Sequence, residues 1–214
     1  MIPPWISYCT VEGRTIFLDV RANRYFMLSE GAAEAFAGGK LEKLNPATRA
    51  ALEESLALMA GGFSPRSSAS PVISGTLELS AEVGRSTPSL VQIARAIKAI
   101  ATTRMDLAIH SLDTLLWKAQ RLNRSCAEAR PAQIIGGLVA AFEIAERLTV
   151  GRDRCLLRSL ALQKFLARHG YASAIIFGVR LHPFRAHCWL QQDEIIMNDT
   201  IEVTGTFRPL RSIS

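Results

Sequence analysis

Residues 64–75 open with Ser64-Pro65-Arg66-Ser67-Ser68-Ala69-Ser70-Pro71, the one low-complexity stretch in the 214 residues, with no apolar stripe at helical spacing. A chain so interrupted does not build one core straight through the interruption. The expected organisation is therefore a small unit at residues 1–63, a linker at 64–75 and a larger unit at 76–214. The two sides also differ in the order of their elements. Before the linker, Thr15-Ile16-Phe17-Leu18-Asp19 and Tyr25-Phe26-Met27-Leu28 are short β-branched or aromatic runs joined by a turn-like Val20-Arg21-Ala22-Asn23-Arg24, which predicts a hairpin. Ser29-Glu30-Gly31 then offers a cap for a helix that Gly38-Gly39 ends. Asn45-Pro46 opens another helix, carrying Leu52, Leu56 and Met59 at helical spacing.

After the linker the periodicity is helical first. Leu90, Ile93, Ile97 and Ile100 share one face of a helix expected over 88–103. Ile109, Leu112, Leu116, Ala119 and Leu122 share a face of a second over 105–123. A third begins at Pro131 and runs towards Gly151, and a fourth, over 154–169, ends at Gly170. Residues 174–179, 186–191 and 194–197 then read as strands, so this part is expected to be α+β with an antiparallel sheet.

Hydrophobic residues at 49% and charged residues at 21% suit a globular chain rather than a disordered one. The longest apolar run, around residues 134–144, is too short for the ~20 residues of a bilayer span. Met1-Ile2-Pro3-Pro4-Trp5 has no basic or apolar signal region, which points to the cytoplasm. Cys9, Cys126, Cys155 and Cys188 are far apart with no CxxC pair, so neither a zinc site nor a disulfide framework is expected. The net charge of +6 comes entirely from the second part, where 18 basic face 12 acidic residues against 7 and 7 in residues 1–75. Local positive charge is what phosphate binding requires, so its absence before the linker argues against nucleic acid there. The arginines beyond are scattered, and suit steering of an acidic or peptide partner equally well.

Cys155 falls in the first turn of the fourth helix if Asp153 is its N-cap, where free N–H groups and the helix dipole favour thiolate. The competing reading is a buried structural cysteine. His187 sits in Ala186-His187-Cys188-Trp189, within a strand, and Asp199 follows the next strand. A cysteine, a histidine and an acid on neighbouring elements are the parts of nucleophilic catalysis: thiolate, proton shuttle and the acceptor that orients the imidazole. His110, His169 and His182 read more simply as a surface group, a helix C-cap and a loop residue, with His182 near enough to stay a spare candidate. Cys188, next to His187 on the strand, is expected to face the opposite side and join the core.

Cys155-Leu156-Leu157-Arg158-Ser159-Leu160-Ala161-Leu162, Gly170-Tyr171, Phe177-Gly178-Val179, Pro183-Phe184-Arg185-Ala186-His187-Cys188-Trp189 and Asn198-Asp199 carry a resemblance. In order and spacing they resemble the transglutaminase-like cysteine peptidase of lasso-peptide biosynthesis, over about residues 150–210. The resemblance implies a transglutaminase-like, papain-like α+β domain with Cys155, His187 and Asp199 as its catalytic triad. Cys188 departs from the alanine expected there, a small change on the reverse face that should leave the triad undisturbed. Phe17-Leu18-Asp19 and Arg24-Tyr25-Phe26-Met27-Leu28-Ser29 resemble the PqqD-like recognition element of ribosomally made, modified peptides, a small winged-helix domain. Its place ahead of the peptidase is the order of fused lasso-peptide B proteins.

By that resemblance, the leader of a lasso-peptide precursor adds as a strand beside Tyr25, Phe26, Met27 and Leu28, with Leu52, Leu56 and Met59 as a helical wall. The second unit would then cut leader from core. The freed amine would pass to an asparagine-synthetase-like cyclase that closes the macrolactam with ATP. No GxxxxGK[ST] occurs in this chain, so no cofactor is expected on it and ATP would belong to the partner. Two alternatives stay open: an acyl transferase on the same scaffold, since a Cys-His-Asp set does not choose its acceptor, and a non-catalytic peptide-binding protein.

Overall fold

In a computed structural model of the chain, the residues described are 5–38, 46–47, 49–50, 75–79, 87–126, 135–149 and 154–214. The chain divides into two compact units, Met1–Pro71 and Val72–Ser214. The expected linker, Gly75 apart, lies outside the described residues, as does the helical stretch with Leu52, Leu56 and Met59.

The first unit begins with an antiparallel sheet of three strands in the order β1 (Ile6–Val11), β2 (Arg14–Asp19), β3 (Arg24–Met27), followed by helix α1 (Glu30–Ala37). The expected hairpin is β2–β3, with Phe17 opposite Phe26 and Leu18 opposite Tyr25. Its turn is set by Asp19, whose Oδ1 accepts from the N–H groups of Arg21 and Ala22 at 3.0 Å each, while Asn23 takes a positive φ of 50°. Strand β1, absent from the sequence reading, is half-exposed beyond Ser7 and ends in the Glu12-Gly13 turn, so no alternation marked it. Ile6, Phe17 and Phe36 form the buried cluster, with the Phe17 and Phe26 rings stacked at 4.9 Å.

The second unit is mixed α+β. Helices α2 (Leu90–Ile109), α3 (Leu112–Arg124), α4 (Gly136–Thr149) and α5 (Cys155–Ala167) precede most of a five-stranded sheet. Its order is β4 (Leu77–Glu78), β7 (Ile195–Ile196), β6 (Arg185–Gln192), β5 (Ala174–Arg180), β8 (Arg208–Ile213), and a short helix α6 (Ile201–Thr204) leads into β8. One expectation fails in part: β4 pairs with β7 in parallel, the rest antiparallel, because β4 enters the sheet from ahead of the helices. The break between the first two helices also falls later than expected. Nothing at residue 104 stops α2, whose N-terminus is fixed by a reciprocal box between Ser89 and Gln92. The stop comes where Ser111 caps α3 by accepting from the Thr114 N–H.

Helix α5 positions the rest. Leu157, Ser159, Leu160, Leu162, Gln163, Phe165 and Leu166 are all buried, so it is enclosed on nearly every side, by α2, α3 and α4 and by β6 and β5. Its polar residues are consequently bonded: Gln163 donates to the Ser173 carbonyl at 3.1 Å and Lys164 to Asp106 at 2.8 Å. Among the described residues no helix is long and apolar enough to cross a membrane.

Candidate active site

Helix α5 starts at Cys155, and Arg154, not Asp153, holds the N-cap position; Asp153 lies outside the described residues. Arg154 makes no side-chain cap bond, and the first turn of α5 carries the thiol at its start, where the helix dipole favours negative charge. Strand β6, packed on α5, carries His187 and Cys188, and Asp199 follows β7. His187 Nε2 lies 2.5 Å from Asp199 Oδ2, and the other carboxylate oxygen accepts from the Thr200 N–H at 2.9 Å. With Nε2 so engaged, Nδ1 is the nitrogen left for Cys155, whose thiol the His187 ring helps to lower. The structure thus brings Cys155, His187 and Asp199 into one chain of contacts. His182 is not the imidazole that Asp199 holds.

The Cys155 thiol is held down to about 4. The neighbouring Cys188 thiol is the largest influence lowering it, and against the upward push of burial the His187 ring and the Cys188 backbone lower it further. His187 is raised to about 9: burial opposes its charge, but the Asp199 carboxylate and the Cys155 sulfur both favour it. Asp199 is lowered, since the His187 and Thr200 bonds outweigh burial. Cys188 goes the other way, well above its ordinary value, because the neighbouring Cys155 sulfur favours its protonated form and it is buried. A thiolate and an imidazolium side by side near neutral pH follow, the pairing that makes a cysteine nucleophilic.

Cys188 is buried at 3% exposure, as its place on the strand implied. An alanine, the residue expected there, would lack the thiol that lowers Cys155 most. Tyr25, Phe26, Met27 and Leu28 belong to the other unit. Phe26 and Leu28 pack on its core, Met27 is 44% exposed, and β3 is an edge strand of its sheet.

Several residues to which the sequence reading gave no role hold the site. Asn198 Oδ1 accepts from the Leu190 N–H at 2.7 Å, its Nδ2 donates to Ser159 Oγ at 3.1 Å, and Ser159 Oγ donates to the Cys188 carbonyl at 3.2 Å. Arg158 donates to the Asn198 carbonyl at 3.0 Å and pairs with Glu146. Helix, strand and the Asn198-Asp199 turn are so locked by buried polar bonds. A cavity of about 270 Å³ beside this frame touches Asp199 but neither Cys155 nor His187, so it backs the site rather than forming its reacting face. On that face His187 lies 6.0 Å from the Trp189 ring and 5.1 Å from Phe207. The residue opposite His187 is Gly178, where a Cβ would come within 2.8 Å of Trp189 and 3.0 Å of Phe207. A side chain there would push on the Trp189 ring and on the Phe207 Cβ. The sequence signals were thin: a lone Gly within a strand and an Asn before the acid.

No curated protein and no solved structure matches the chain. The family model described as Transglutaminase-like superfamily matches residues 84–212, more than half of the chain and, strand β4 apart, nearly all of the helix-and-sheet frame that carries Cys155, His187 and Asp199, and the chain belongs to that superfamily.

Proposed function

We propose that this protein is a cysteine peptidase that cuts the leader from the core of a lasso-peptide precursor. The observation that carries the reading is the contact chain Cys155–His187–Asp199 at the start of α5. Cys155 attacks the carbonyl carbon of the scissile bond as thiolate. His187, held as imidazolium by Asp199, gives its proton to the leaving amine, and water then resolves the thioester, with His187 taking a proton from it. The open N–H of Cys155 is one donor for the oxyanion. Strand β3 offers a sheet edge to which the leader adds, its Tyr25 and Met27 side chains on the face opposite Phe17 and Phe26. The freed core amine goes to an asparagine-synthetase-like cyclase, which spends the ATP.

The test is mass spectrometry of a leader-bearing precursor incubated with wild type and Cys155→Ala, with and without cyclase and ATP. One cut at the leader–core junction, absent from the variant, is expected. Equal cutting by the variant overturns the mechanism. An amide to an added amine in place of a free carboxylate makes the protein an acyl transferase. Leader binding without any cut by wild type makes it a peptide-binding protein.

A further inference from the structure

The hairpin β5–β6 ends, beside the candidate active site, on two arginines. In its register Gly178 faces His187, Val179 faces Ala186 and Arg180 faces Arg185, so Arg180 and Arg185 are directly opposite and share the sheet face of His187. The rings bear this out: the Arg180 guanidinium lies over Phe207, 5.3 Å from its centroid, and Phe207 is the ring next to His187. Like charges directly opposite in a sheet destabilise it, and natural pairs are usually relieved by a carboxylate. Here none relieves it. Among the described residues neither arginine makes an ion pair, Arg180 Nε is buried with no hydrogen-bond partner, and Arg185 is exposed. The nearby acid, Asp199, is committed to His187 and the Thr200 N–H.

Two arginines directly opposite each other, two residues along the strand from the imidazole, are suited to an incoming carboxylate. Arginine's planar fork takes a carboxylate bidentately, which lysine cannot do. Two strand residues span about 7 Å, and an extended peptide advances about 3.4 Å per residue, which sets where the carboxylate would stand relative to the bond attacked. The surplus of positive charge in this unit points the same way. We propose that Arg180 and Arg185 form a carboxylate-binding subsite beside Cys155 and His187, so that the protein prefers peptides with Asp or Glu within about three residues of the bond it attacks. This rests on the peptidase reading only for the word bond; the subsite itself is a property of the thiol's surroundings.

The experiment accordingly reads the thiol, not cleavage. Cys155 is alkylated by anionic iodoacetate and by neutral iodoacetamide in wild type, Arg185→Gln and Arg180→Gln/Arg185→Gln, with Cys155→Ser as the blank. The ratio of the two rates cancels reactivity and access. It is expected to fall about twofold in Arg185→Gln and about fivefold in the double variant at low salt, from two unit charges about 8 Å away in water. In parallel, a blocked pentapeptide with a central glutamate should slow iodoacetamide alkylation of wild type more than its glutamine twin, and the difference should vanish in the double variant. An unchanged ratio in Arg185→Gln, whose exposed side chain makes misfolding no explanation, overturns the proposal. So does equal protection by the two peptides. A protein that cuts no precursor yet shows both effects would sink the peptidase reading and leave the subsite standing.

Discussion

A disulfide probe active in acid, 2,2′-dithiodipyridine, separates a thiolate held by His187 and Cys188 from an ordinary thiol. With Cys155 at about 4 and a reference thiol at 9.0, the thiolate fractions at pH 5 are about 0.9 and 0.0001, a ratio near 9,000. A lowered pKa also blunts the nucleophile: with a Brønsted slope of about 0.4–0.5, five units cost roughly 100- to 300-fold. Cys155 should therefore react about 30 to 90 times faster than the reference at pH 5, and about 10 to 30 times slower at pH 8, where the thiolate ratio is only near 10. Partial burial of Cys155 scales both rates equally, so the firm quantity is the fall of the relative rate by about 900-fold between pH 5 and pH 8. His187→Ala removes one of the groups lowering the thiol, and its inflection should move up by about 1–3 units. A relative rate that stays constant across this range, or identical inflections in wild type and His187→Ala, would refute the ion pair.

Peptide hydrolysis should follow a bell, lost in acid as the thiolate protonates near pH 4 and in alkali as His187 loses its proton near 9, read from kcat/KM between pH 3.5 and 10. Asp199→Asn keeps the shape but replaces the acceptor that holds the imidazolium; kcat should drop by about 10³- to 10⁴-fold, with the alkaline limb shifted down. Asn198→Ala strands the Leu190 N–H and frees Ser159, and should lower stability by about 2–3 kcal/mol in urea unfolding. Cys188→Ala removes the S–H donor while leaving the backbone N–H and His187, so the thiol inflection should rise above about 4 in the dithiodipyridine assay.

The candidate site residues were legible because few arrangements use them. A cysteine opening a helix, a histidine in a strand and an acid past the next strand are sparse signals with one common use, and the structure brings those three together. The hairpin of the first unit was legible from its apolar runs and the Asp19 turn. Strand β8 was not: Arg208-Pro209-Leu210-Arg211-Ser212-Ile213 places its apolar residues three apart, and a register shift opposite Phe177 and Gly178 breaks the period of two. Strands β4 and β7, at two residues each, are too short for any pattern to appear. The break between α2 and α3 was misplaced because an apolar stripe says which face is buried and little about where a helix stops; the Ser111 cap decides that.

Cys188 shows why face and distance are separate matters. Alternation along β6 puts it on the side away from Trp189 and Phe207, and its burial follows. Yet the element on that side is α5, and the residue at the tip of α5 is Cys155, so a side chain facing away from the imidazole still reaches the same sulfur. Cys155, the proposed nucleophile, thus sits where the helix end meets the strand, and His187 and Cys188, on opposite faces of that strand, both lower its thiol. An alanine at 188 would fill the space without donating. A thiol there makes a packing position a second influence on the Cys155 thiol, and the Ser159 bond to the Cys188 carbonyl ties that strand to the helix. The geometry that makes the site reactive is therefore held from behind, by groups whose only trace in the sequence is their polarity inside an apolar helix and strand.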